Sequence, residues 1–132
     1  VKDAGQWWAG MNALDAASPD LVIIEAGAND SNVSQFQTDL DTLVSFIQSN
    51  TSASVIVCES YGSNSETFAP AARSVAETRG VDSLSWLDIL QGDRDPWRAS
   101  VSDPDHFSQD GFEVIAAGVT QAVLGAHPRL RF

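Results

Sequence analysis

Short, continuous apolar runs alternate along this chain with longer stretches whose apolar residues recur at helical spacing. Leu21-Val-Ile-Ile-Glu-Ala26 and Val55-Ile-Val-Cys58 have the length of strands and lack the in–out alternation of a half-solvated sheet. Strands read this way when both of their faces are covered. Between them, residues 33–49 place Phe36, Leu40, Leu43, Val44 and Ile47 on one helical face, with Ser31, Asn32 and Ser34 as alternative caps. Residues 66–79 predict a helix that stops at Gly80, and residues 109–124 a last one with Phe112, Ile115, Val119 and Val123 as its core face. At the front, residues 6–17 put Trp7, Met11 and Leu14 at helical spacing before Pro19 closes the helix. Ser83-Leu-Ser-Trp-Leu-Asp88 predicts a third strand, and the Asp-, Pro-, Ser- and Arg-rich residues 91–105 predict a loop. The order α-β-α-β-α-β-α predicts one α/β domain over residues 1–132, a parallel sheet with helices on both faces. Ligands of such sheets bind where the strands end.

Charge narrows the functions open to such a domain. Eighteen acidic residues against seven basic ones give a net charge of −11, and the basic residues form no run. A nucleic-acid or anionic-membrane surface needs clustered Lys and Arg, so neither partner is expected. The single cysteine, Cys58, excludes an internal disulfide and reads as a small buried hydrophobe within its apolar run. Two histidines are too few for a Cys/His zinc cluster, and no stretch reaches the roughly 20 apolar residues of a membrane span. The first residues run from Val1 into Trp7-Trp8 with no initiator Met and no apolar signal segment, which predicts that the natural sequence continues upstream.

Two segments carry chemistry, and both fall after expected strands. Gly27-Ala28-Asn29-Asp30 ends the first run. Gly27, Asn29 and Asp30 are turn formers, and an asparagine amide at a strand end also suits donation to an oxyanion that develops during acyl transfer. Asp103-Pro104-Asp105-His106-Phe107-Ser108 leads through Gly111 into the last helix. An Asp three residues before a His can fold back in one turn, accept the Nδ1 proton and leave the other ring nitrogen free as a general base. A helix cap followed by a surface histidine fits the same residues, and Asp105 is a second candidate partner for the imidazole. Trp97, in Arg94-Asp-Pro-Trp97-Arg98, reads either as a wall of the substrate cleft or as loop packing.

Taken together and in this order, the segments resemble the SGNH/GDSL hydrolase family. Leu21 to Asp30 is similar to its third block, a buried strand ending in Gly-x-Asn-Asp, and Asp103 to Gly111 to its fifth, Asp-x-x-His before a helix. The resemblance spans nearly the whole chain and implies a flavodoxin-like, three-layer αβα fold with its N-terminal strands missing. It implies Asn29 as oxyanion-hole donor beside the turn glycine Gly27, His106 as general base and Asp103 as its orienting acid. The family's Gly-Asp-Ser block has no match, so the nucleophile is expected upstream of residue 1. Gly5 stands rather close to Asn29 for the second-block glycine and is not assigned that role. Ser31, Ser34, Ser60, Ser63, Ser102 and Ser108 all read as caps or loop residues.

The implied activity is ester hydrolysis, on a carbohydrate O-acetyl group or a short acyl or lipid ester, with no metal or organic cofactor. The contrasting reading is a non-catalytic binding or structural module of the same fold in a surface or phage-tail protein. A nucleotide-binding domain lacks support, because no Gly-rich phosphate loop is present.

Overall fold

The structure is a computed structural model and describes residues 13–14, 18–27, 30–59, 65–92, 95–100 and 103–126. Strands β1 (Leu21–Glu25), β2 (Ser54–Cys58) and β3 (Asp82–Leu84) form a parallel sheet in the order β1-β2-β3. Leu21 pairs with Ser54 and Glu25 with Cys58, while Ile56 and Cys58 pair with Asp82 and Leu84. Helices α1 (Val33–Asn50) and α2 (Ser65–Arg79) make the crossovers. Both pack on one face of the sheet, where Phe36, Leu40, Val44 and Ile47 of α1 and Phe68, Ala72 and Val75 of α2 meet Ile24, Val55 and Val57. The rings of Phe36 and Phe68 meet edge to face at 5.3 Å. Full burial of side chains of this size stabilises by about 1.5–3 kcal/mol each, so this layer carries most of the fold.

The helix ends follow local chemistry. Asn32 is the residue that caps α1, its Oδ1 accepting the Gln35 N–H at 3.1 Å. Gly80 takes φ of 64° after α2, so that its N–H reaches the Glu77 carbonyl and the Val81 N–H reaches that of Ala76. This pair of bonds is the usual closure of a helix by a left-handed glycine.

Helix α4 (Gln109–Ala126) covers the opposite face. Val123 clusters with Ile56 and Cys58, joined by Val119, Leu21 and Leu84, while Ile115 clusters with Leu90 and Phe107 beyond β3. The helix therefore begins past the C-terminal ends of the strands and runs back along the sheet. This gives the three layers and the parallel sheet that the sequence predicts.

Four expectations need correction. The third strand stops at Leu84, because Ser85 caps a short helix α3 (Trp86–Ile89) by accepting the Asp88 N–H at 3.2 Å. The expected loop 91–105 instead holds a 3-10 turn (Asp95–Trp97) and an antiparallel hairpin of β4 (Arg98–Ser100) with β5 (Asp103–Phe107). Phe112 is 49% exposed, not core, since α4 turns Gly111 and Ile115 inward instead. Finally, β1 is not covered on both faces: Ile23 is 45% exposed, because α4 lies over β2 and β3. The first helix falls largely outside the described residues, although Leu14 packs against the α1–α2 layer. No helix among the described residues is long and apolar enough to cross a membrane.

Two ion pairs brace the α1–α2 side, and burial ranks them. Arg79 of α2 binds Asp41 of α1 at the surface and holds the Asp41 carboxyl below its usual range. Arg73 of α2 reaches Glu59, just past β2, with Nε at 2.8 Å and a terminal nitrogen at 2.7 Å from the same oxygen. Glu59 is only 5% exposed, so removing its partner strands a buried carboxylate. Arg73→Ala is expected to cost about 2–3 kcal/mol and Arg79→Ala less than about 1, measured by urea unfolding. For the 132-residue chain by itself, Ile23→Lys is expected to lower self-association in light scattering, because β1 has a neighbour on one side only among the described residues.

Candidate active site

The two polar segments lie on different sheets, the first after β1 of the parallel sheet and the second on β5 of the hairpin. Ile24 and Val22 anchor β1 on the α1–α2 layer, and the chain then turns at Gly27. Gly27 is buried with φ of 107°, a conformation that glycine adopts without the clash a Cβ would bring. Its carbonyl accepts the Asp30 N–H at 3.3 Å, which closes the turn two residues before the Asn32 cap of α1. Ala28 and Asn29 lie outside the described residues.

His106 is exposed, on the strand immediately before α4. Its neighbour Phe107 is buried between Leu90 and Ile115, and the rings of Phe107 and Phe112 meet edge to face at 5.8 Å. The backbone here is extended, not folded into the single turn expected of an Asp-x-x-His segment. Its register against β4 shifts, with Phe107 opposite Arg98 and Asp103 opposite Ser100, so β5 is not a regular strand between Asp103 and His106. The side chains of Asp103, Pro104 and Asp105 lie outside the described residues, so the support of His106 by Asp103 passes to the proposal below.

Trp97 shows its packing role directly: the ring is half-buried against the cluster of Leu90, Phe107 and Ile115, and its carbonyl accepts the Ser108 N–H at 2.7 Å. Ser108 acts as a cap, its Oγ accepting the Gly111 N–H at 3.1 Å. Ser34 lies within α1, its carbonyl bonded to Thr38 Oγ1. Ser60, Ser63 and Ser102 lie outside the described residues.

Two acidic groups near these strand ends escaped sequence reasoning. Glu25 ends β1, and burial raises its carboxyl above the usual range. It stands in register with Cys58, whose thiol is pushed up to about 11, first by burial and then by the Glu25 charge. A thiol so protonated is a poor nucleophile at neutral pH, which fits the reading of Cys58 as core. Glu59 ends the apolar run of β2, and its pairing with Arg73 holds α2 against the strand end. Its only signal was an acid directly after a buried strand.

Comparison with known proteins agrees with this layout. The profile of the GDSL-like Lipase/Acylhydrolase family matches residues 3–114. No curated protein matches the chain in sequence. Among solved structures, the lipase/acylhydrolase from Enterococcus faecalis is similar, at 21% identity and a TM-score of 0.70, over 89% of this chain and 69% of that one. At that identity the likeness is one of fold.

Gly27→Ala is expected to destabilise the chain by about 1–2 kcal/mol, because alanine at positive φ is strained and the position is buried. Thermal or urea melting checks this, and an unchanged midpoint would mean that the turn relaxes freely.

Proposed function

The chain belongs to the GDSL-like lipase/acylhydrolase family, and from that premise we propose that it forms most of a serine esterase domain whose nucleophile lies upstream of Val1. The family supports an esterase or acylhydrolase kind of activity. The finer reading, cleavage of a carbohydrate O-acetyl group or a short acyl or lipid ester, comes from the resemblance to the family, and the Gly27–Asp30 and Asp103–Ser108 segments do not choose among these esters.

The observation that supports the proposal is the family match over residues 3–114, which takes in both segments. Within it Gly27 turns the chain at the end of β1, and His106 lies on the strand directly before α4. In the proposed reaction the serine Oγ adds to the ester carbonyl carbon while His106 accepts the hydroxyl proton. The carbonyl oxygen becomes an oxyanion, and the side-chain N–H of Asn29 donates to it, an interaction worth about 3 kcal/mol in comparable sites. Collapse of the tetrahedral adduct breaks the bond to the alcohol oxygen, which takes the proton from His106. Water then adds to the acyl-enzyme by the same steps in reverse, with His106 as base, and releases the carboxylic acid and the free serine. Asp103 is assigned to hold the imidazole tautomer by way of the register shift in β5, since regular alternation would set the two side chains on opposite faces. The chemistry draws on proton transfer and oxyanion stabilisation alone.

A protein extended upstream to include a Gly-Asp-Ser strand is expected to react with a fluorophosphonate probe, and His106→Ala to reduce that labelling by at least about 10³-fold. The 132-residue chain is expected neither to label nor to turn over a p-nitrophenyl ester. Turnover by the 132-residue chain that vanishes in His106→Ala would place the nucleophile within these residues instead.

A further inference from the structure

In the first turn of α4 the backbone makes a contact that leaves no room for a side chain. A methyl group on Gly111 would lie 2.6 Å from the Trp97 carbonyl oxygen, 3.1 Å from Trp97 Cβ and 3.2 Å from Phe107 Cβ. The nearest of these atoms is backbone, and it already accepts the Ser108 N–H at 2.7 Å, so it cannot turn aside without giving up that bond. The Gly111 N–H in turn donates to Ser108 Oγ at 3.1 Å. Trp97 and Phe107 both pack in the cluster around Leu90 and Ile115, and Phe107 also pairs with Arg98 across the hairpin. Any displacement forced at Gly111 therefore falls on the strand that carries His106.

We infer that Gly111, closing on the Trp97 backbone, is a positioning residue for His106; this rests on the reading of His106 as the general base. The inference separates Gly111 from the other tight glycine of the same helix. A methyl group on Gly118 would meet Ile89 Cγ2 at 2.5 Å, Cγ1 at 3.0 Å and Cδ1 at 3.1 Å. That neighbour is the side chain of Ile89 on α3, which borders the same cluster as Phe107 and Trp97 but shares no backbone hydrogen bond with them. Both substitutions overpack α4, but only the one at Gly111 meets a hydrogen-bonded backbone atom, the Trp97 carbonyl oxygen.

The test uses ring-labelled histidine in the 132-residue chain, with circular dichroism to confirm folding. Gly111→Ala is expected to move the His106 ring signals. Gly118→Ala should leave them in place. Unmoved His106 signals in folded Gly111→Ala, or an equal movement in Gly118→Ala, would overturn the inference. Should Gly111→Ala fail to fold, Ser108→Ala decides, since it removes only the hydroxyl that holds the Gly111 N–H. A moved His106 signal then supports the inference and an unmoved one sinks it. Retained probe labelling in His106→Ala of the extended protein would refute the general-base reading, while the ring signals would still report whether Gly111 sets the position of this side chain.

Discussion

Everything in this fold leans on the burial of β2. Its backbone is paired on both sides, to β1 and β3, and Val55, Ile56, Val57 and Cys58 are all buried between α1 and α2 on one face and α4 on the other. A strand in that position has no solvent to satisfy its polar groups and no room to slip, since a shift of one residue would exchange its two faces. The neighbouring strands take their register from it. Through them the ends of β1 and β3, where the polar segments begin, are set relative to each other.

That burial also explains what the sequence disclosed. Apolar runs and helical spacing located β1, β2, α1, α2 and α4 closely, because core formation demands those patterns. The errors cluster after residue 84, where local hydrogen bonds compete with the sheet. Ser85-Trp-Leu-Asp88 carries a capping signature, a hydroxyl followed three residues on by an acid, but Leu84, Trp86 and Leu87 mask it as an apolar run. The β4–β5 hairpin is hidden by Pro104, which removes a ladder donor and argues against a strand except at an edge. Phe112 was read as core from periodicity alone, whereas Gly111 lets the helix approach so closely that the inward face begins one residue earlier.

For the candidate site, the sequence was most informative about identity and least about orientation. Gly27 and His106 stand out in the sequence because their residue types after expected strands have few other uses in combination. The extended backbone of β5 was not foreseeable from Asp-x-x-His, since the same four residues fit a turn as readily as a strand. Glu25 and Glu59 were overlooked for a different reason. Single acids beside buried strands resemble solvated boundary residues until the burial around them is known.

The depth of Cys58 has a use beyond packing. It is the only sulfhydryl in the chain, it sits in the central strand under α4, and burial keeps it protonated. An alkylating reagent can reach it only when the helix and the sheet part. The rate at which that one sulfur is modified is thus a clock for separation of the two layers, running silently at the midpoint of the domain and needing no label introduced by mutation.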